Sequence, residues 1–447
     1  MKTHSLTAFL GITMTGIALL AGCNQVPLSQ EPAVPVQGNT VADGNMLKSS
    51  LDRLGPTSSA ADISAVTDGN NAFGWALFTS LHTDNTNLFF SPYSISSALA
   101  MAWQGAQGDT KTEMTQALHF TLDNVRFNSA MNSIDLALAT RGQGAAGNEG
   151  AGFTIKCAND LWGEKTETFL QGFLDPLAQY FGAGMRICDF IHNSEATRIE
   201  INDTIEGQTN GKIKDLIPPG GVDGSTKLVI TNSVYFDAAW ADTFNHAATD
   251  TMRFIRAMND TLKALYMNRT GEYNYAEDQE YQTLELPYSG KQVSMVIVLP
   301  KDMNALQSGQ TPSAGEIKSL VNGLSLRQVR VSVPKFTFTF GTVSINSQLQ
   351  ALGMQKAFSA GVADFSGING QHDLFIGDVF HQAFVAVDEK GTTAAAATAV
   401  TISSGCAPGG QSILVFSADH PFVFFIRDIP TGQILFMGYL STPKSVS

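Results

Sequence analysis

The sequence predicts an α+β fold built mostly on antiparallel sheets. Three observations carry this. Helix-period apolar faces gather in the first part of the chain, and β-rich runs of partial period two gather in the last. The composition, 43% hydrophobic with 28 Phe, supports a large core rather than a disordered chain.

The elements follow in order. Asn70 to Leu81 reads as a helix, because Phe73, Leu77, Phe78 and Leu81 share one face. Ser91-Pro92 opens a second, with Pro in the first turn and Ile95, Ala98 and Leu99 turned inward. Thr110 to Leu118 is a third. Strands are expected at Phe153 to Trp162, Leu228 to Phe236, Gln292 to Leu299 and Gln328 to Phe340. Leu349 to Phe358 is again helical. Val379 to Val387, Ile413 to Phe416, Phe422 to Arg427 and Ile434 to Leu440 are strands.

Charge excludes one class of partner. The 447 residues carry 27 Lys+Arg against 40 Asp+Glu, a formal charge of −13. Nucleic acid is not expected as a partner, because phosphate binding needs clustered cations.

The start of the chain reads as an address. Lys2 and His4 precede an apolar run from Leu6 to Leu20, shorter than the ~20 residues of a bilayer span. It ends Leu20-Ala21-Gly22-Cys23, which resembles a bacterial lipobox; an ordinary signal peptide is the alternative. Residues 1–22 are then a lipoprotein signal peptide, with Cys23 lipidated and residues 23–63 a flexible tether rich in Pro, Ser, Thr and Gly. The globular domain is expected over 64–447. The protein would be exported to the cell envelope or surface, at the outer membrane if the host is Gram-negative.

Chemical motifs are scarce. The chain lacks G-x-S-x-G, H-E-x-x-H and G-x-x-x-x-G-K-[ST], so no hydrolase nucleophile, zinc protease helix or phosphate loop is expected. The eight His form no metal-spaced pair, so no metal or cofactor is expected. Cys157 and Cys188 either pair or remain two buried thiols.

The segment 388–412, DEKGTTAAAATAVTISSGCAPGGQS, is longer than the ~12–15 residues of an ordinary connection. As a strand it would place Thr392, Ala394, Ala396, Thr398, Val400 and Ile402 on one face. Between Gly391 and Ser404 it carries no charge and no Pro, so every N–H there is free to join a ladder. An Ala-rich linker or short helix is the alternative.

Other stretches set the context. Asn87 to Met101 (NLFFSPYSISSALAM), Asn210 to Pro219, Leu228 to Trp240, Val333 to Phe336, the hinge VDEKGTTAAAATAV, and Ala418 to Arg427 with Thr431 to Gly438 resemble, in this order, the motifs of the serpins. The likeness spans roughly residues 64 to 443. It implies the serpin fold, with eight or nine helices, three mostly antiparallel sheets and an exposed reactive loop. By resemblance Ser91, Ser94, Asn232 and His381 fall on the shutter beneath the sheet. Trp240, Lys335 and Glu389 fall on the breach at its top, with Lys335 and Glu389 paired. Glu389, Gly391, Thr392, Ala394, Ala395, Ala396, Ala397 and Thr398 form the hinge.

The resemblance implies a suicide-substrate inhibitor, not an enzyme. A target endopeptidase cleaves the loop, and the loop enters the sheet before the acyl ester hydrolyses. A monomer is expected, with the covalently trapped protease and, through Cys23, a membrane as partners. Family spacing from Gly391 puts the scissile bond at Gly405–Cys406, with Ser404 or Cys406 as the alternative residue before the cut. Cys406 is either open to oxidation or to an intermolecular disulfide, or a small residue tolerated there. No Lys or Arg occurs from Gly391 to Ile426, which disfavours a trypsin-like target; the small residues suit an elastase- or subtilisin-like serine endopeptidase, with a papain-like cysteine endopeptidase the alternative. A non-inhibitory binding or chaperone protein is the alternative.

Overall fold

The computed structural model describes residues 45–82, 85–143, 153–392 and 413–444. In chain order the elements are β1 (Met46–Leu47), α1 (Ala60–Leu81), β2 (Leu88–Phe90), α2 (Pro92–Trp103), α3 (Gly108–Ala117) and α4 (Asn124–Ala139). Then come β3 (Phe153–Glu164), α5 (Gln171–Pro176), which runs into a π turn at Leu177–Phe181, β4 (Met185–Cys188) and α6 (Phe190–Gln208). β5 (Leu228–Ala239), β6 (Asp250–Ala257), β7 (Asp260–Glu277), β8 (Tyr281–Pro287) and β9 (Val293–Pro300) follow. The last part holds α7 (Ala314–Asn322), β10 (Ser325–Pro334), β11 (Phe336–Ser344), α8 (Asn346–Ala351), α9 (Ser366–Asn369), β12 (Val379–Val387), β13 (Gly391–Thr392), β14 (Leu414–Ser417), β15 (Phe422–Asp428) and β16 (Ile434–Leu440).

Among the described residues the strands form two hydrogen-bonded sheets. One runs β1-β4-β3-β5-β13-β12-β11, five proper strands with a two-residue piece at one edge and another wedged inside. The other runs β14-β10-β7-β8-β9-β15-β16-β2, with β6 paired to β7. The resemblance implies three sheets; here the 18-residue β7 pairs with β6 and β10 and, further along, with β8, so two of them are continuous. Most pairings are antiparallel. The pairing of β5 with β12 is parallel, 230–234 against 379–383.

The main core draws on both sheets and the early helices; within it Phe89 stacks on Phe436 at 5.2 Å and on Phe424 at 5.8 Å. A second cluster lies under α6, whose Ile201 and Ile205 pack with Trp162, Val229 and Phe380. These three come from β3, β5 and β12, so α6 bridges strands on both sides of the β5–β12 seam.

The structure moves three expectations. The run 328–340 is not one strand. It ends at Pro334 in one sheet and restarts at Phe336 in the other, which puts Lys335 at the corner between them. The first helix starts at Ala60, capped by Ser59 Oγ, which accepts from Asp62 N–H at 3.1 Å. The helix read over 349–358 is α8 and a separate 3₁₀ turn at Lys356–Phe358.

The boundary of the body also shifts. Residues 45–59, which composition assigns to the tether, pack on the fold. Met46 and Leu47 pair with Arg186 and Met185, and Ser49, buried, donates to Asp175 Oδ1 at 2.6 Å. Polar side chains hid this, because the segment is fixed by hydrogen bonds rather than by an apolar face. Among the described residues, no helix is long and apolar enough to cross a membrane.

Candidate functional site

Three strands bring a polar row together inside the sheet. Asn159 of β3 lies opposite Asn232 of β5, and Asn232 lies opposite His381 of β12. Ser91 and Ser94 reach this row from below, from the N-terminus of α2. Ser91 is the N-cap: its Oγ accepts from Ser94 N–H at 3.2 Å and donates to Leu435 O at 2.6 Å.

The row is fully connected. Asn232 Nδ2 donates to Ser94 Oγ at 2.6 Å and to Asn159 Oδ1 at 2.7 Å, and Ser94 Oγ donates to Asn159 Oδ1 at 2.7 Å. His381 lies 2.7 Å from Asn232 Oδ1 through Nδ1, and its Nε2 accepts from Ser91 N–H at 3.4 Å. Burial pushes its pKa down to about 3, so the ring is neutral. An Nε2 that accepts leaves the proton on Nδ1, which therefore donates to Asn232.

All four residues assigned to the shutter thus meet in one network. Asn159 is the fifth member, which the sequence reading missed. Its signal was a lone amide in the middle of the run CANDLW.

The breach forms around Glu389, which is buried. Its Oε2 accepts from Lys335 Nζ at 2.6 Å, and its Oε1 accepts from Thr249 Oγ1 at 2.7 Å and lies 3.0 Å from His246 Nδ1. Burial alone would raise this carboxyl. The hydrogen bonds from Lys335, Thr249 and His246 outweigh it and hold the pKa down at about 2. Trp240 closes the corner. Its Nε1 donates to Asp388 O at 2.9 Å, its backbone N–H donates to Lys390 O at 2.7 Å, and its ring stacks on Tyr288 at 4.6 Å.

Trp240, Lys335 and Glu389 therefore meet at one corner of the sheet, with Lys335 and Glu389 paired. Thr249, His246 and Tyr288 were not singled out. They reach the site from other loops, and no local pattern marks them.

Below Glu389 the hinge enters the sheet. Gly391 and Thr392 pair with Ala239 and Ala238 of β5, and Thr392 also pairs with Val387 of β12. A Cβ on Gly391 would come within 2.0 Å of Ala238 O, so only Gly fits there. Thr392 is buried, with its Oγ1 2.7 Å from Tyr288 OH. Ala394, Ala395, Ala396, Ala397, Thr398, Ser404, Gly405, Cys406 and Cys23 lie outside the described residues.

Cys188 settles one open alternative. It is a buried free thiol, opposite Glu164 in the β3–β4 register, seven positions along β3 from Cys157. Among the described residues, no group of three or more His, Cys, Asp or Glu is placed to hold a metal ion.

A family profile described as "Serpin (serine protease inhibitor)" matches residues 68–443. The human leukocyte elastase inhibitor is 38% identical over 390 residues, covering 85% of this chain and 99% of its own length. An uncharacterised serpin-like protein of Thermococcus kodakarensis is 38% identical over 379 residues, covering 85% of this chain and 86% of its own. Among solved structures, the thermophilic serpin tengpin in the native state matches with TM-score 0.76 and 26% identity, over 89% of this chain and 97% of that one. Serpin48 of the insect Tenebrio molitor matches with TM-score 0.74 and 29% identity, over 85% and 98%.

Proposed function

This chain belongs to the serpin family, and we propose that it is a suicide-substrate inhibitor of serine endopeptidases that traps the acyl-enzyme by inserting its cleaved loop into the β5–β12 seam. One observation carries the reading. The strand that precedes the loop already starts down this seam: Gly391 and Thr392 sit between β5 and β12 at its top, while 230–234 and 379–383 still pair directly below them.

The register defines what insertion would do. Continued downward, it brings Ala396 between Ala383 and Val234, Thr398 between His381 and Asn232, and Val400 between Val379 and Ile230. Each new residue would separate a pair that is now bonded. At ~3.3 Å per residue, the stretch from Thr392 to Val400 covers about 26 Å. Small uncharged side chains suit a slot this narrow, and new ladder hydrogen bonds with buried apolar surface would drive the change.

The chain supplies no catalysis in this scheme. The target's own serine attacks the loop. Insertion drags the acylated protease away from its oxyanion-hole geometry, and the ester persists. The small residues Ser404, Gly405 and Cys406 around the proposed bond favour an elastase- or subtilisin-like pocket. Relatives named as leukocyte elastase inhibitors support the first of these. Attachment to a membrane through lipid on Cys23 belongs to the same proposal; [³H]palmitate labelling lost in Cys23→Ser would support it.

The test is incubation with pancreatic elastase and with subtilisin. An SDS-stable band at the summed mass is expected, with mass spectrometry of the released C-terminal peptide locating the bond. Clean cleavage with no such band from either enzyme overturns inhibition and favours a non-inhibitory binding protein.

A further inference from the structure

The strap formed by residues 45–58 is bonded to two groups of elements that insertion must slide past one another. One group moves with β5: β3 and β4 beside it in the sheet, with the helical turn at 171–181 between them in the chain. Met46 and Leu47 pair with β4, Ser49 Oγ donates to Asp175 Oδ1 at 2.6 Å, and Leu54 N–H donates to Gln179 O at 2.8 Å.

The other group is the helical floor, α1, α2 and α4, which is tied to the second sheet. Ser91 at the start of α2 donates to Leu435 of β16, and Asn71 Nδ2 of α1 donates to Gly432 O at 2.9 Å. The strap holds this group through α4. Arg53 Nε donates to Asn132 Oδ1 at 2.9 Å and its Nη2 to Asp135 Oδ2 at 2.6 Å. Asn132 Nδ2 returns a hydrogen bond to Leu54 O at 2.9 Å, and Ser58 N–H donates to Ser133 Oγ at 3.3 Å.

Arg53 stands at the sliding plane itself. It lines a cavity of about 90 Å³ together with Tyr93, Asp135, Asn159 and Tyr180. Tyr93 OH donates to Asp135 Oδ1 at 3.3 Å, on the wall that Arg53 holds. Asn159, on another wall, is the shutter residue bonded to Ser94 and Asn232. The cavity is flanked by the arginine and a shutter amide, so it lies between the two groups.

We propose that residues 45–58 are a clamp that holds the intact chain in its loop-out state, with Arg53 as the lock between α4 and the β4 side of the sheet. The clamp rests on the insertion reading above. A brace that served folding alone would stabilise intact and inserted forms equally. This one spans the plane of movement, so it stabilises the intact form and is already broken in the inserted one.

The test uses the full chain with Arg53→Gln and, from the α4 side, Asp135→Asn. Two readouts are taken: the melting temperature before and after nicking the loop with subtilisin, and the rate at which intact chain, held warm below its melting point, converts to a heat-resistant uncleaved monomer on native gels. Either variant is expected to convert on the order of tenfold faster than wild type, while the nicked forms melt together. Equal conversion rates overturn the clamp, as does an equal fall in the melting of intact and nicked forms. If nicking does not raise the melting temperature of the wild type, insertion itself fails and the clamp fails with it. A rise in the wild type with no change in conversion sinks the clamp alone.

Discussion

His381 makes the intact form sensitive to mild acid, by an amount that can be worked out. In the unfolded chain its pKa is about 6.5. In the fold, burial brings it to about 3. Between these values the unfolded chain binds a proton that the native chain refuses. Stability is therefore complete above pH ~6.5 and falls as pH drops through the window towards 3. At pH 5 the unfolded imidazole has gained about 1.5 pH units of protonation free energy, or about 2 kcal/mol.

The structural reason is specific. A protonated Nε2 cannot accept from Ser91 N–H, and a charge would sit in a fully buried site. For a body of this size, about 2 kcal/mol corresponds to a fall of about 2–3 °C in melting temperature. The assay is thermal melting of intact wild type and His381→Asn at pH 7.5 and pH 5. Carboxylates titrate alike in both proteins, so the difference between the two pH shifts isolates the imidazole. If both proteins lose the same number of degrees, His381 is not held neutral and the shutter network is wrongly assigned.

Lys335→Met should leave the Glu389 carboxylate buried with only Thr249 and His246 to hold it. The intact form should lose about 2 kcal/mol, with the Glu389 pKa rising; urea unfolding checks this, and in a Glu389→Gln background the same substitution should cost far less. Ala394→Arg should turn the protein from inhibitor into substrate, because a charge must then enter the sheet; an unchanged yield of SDS-stable complex contradicts the insertion register. Cys188, its thiol pushed up to about 12 by burial and by Glu200, should resist iodoacetamide in the folded chain and label fully in denaturant, as peptide mapping will show.

Legibility in the sequence depended on what held each residue. The strands β12, β15 and β16 could be read because they are mostly apolar and buried, with His381 the polar break in the inward face of β12. The first ten residues of α1 were not, because Thr67, Gly69 and Asn70 interrupt the apolar stripe. Asn70 is nonetheless buried, with its amide on Gln433 and its Oδ1 accepting from Ser96 Oγ. α6 was missed for the same reason. It buries Arg198 and Asn202, which donate to the carbonyl of Ile217, and Thr197, whose Oγ1 donates to Asp189 O, and it kinks at Asn193. The site residues came from resemblance, and their partners Asn159, Thr249 and Tyr288 did not, since each acts only through a neighbour distant in sequence.

The seam between β5 and β12 explains why so much polarity is buried at the centre of the molecule. A row of apolar side chains there would pack as well and cost less to desolvate. It would not distinguish one register of the two strands from another, nor bind the sheet to the helix beneath it. The Asn159–Asn232–His381 row does both. One bond crosses the seam at 2.7 Å, and the serines tie the same amide to α2. Opening the seam at this level must therefore break the His381–Asn232 bond inside a site that water does not reach, and each orphaned group costs ~1–3 kcal/mol until something replaces its partner. The incoming Thr398 of the proposed register carries a hydroxyl that can donate and accept in that position. The same network that resists opening without a strand would then be re-satisfied once the strand arrives, which makes the barrier local and the product stable.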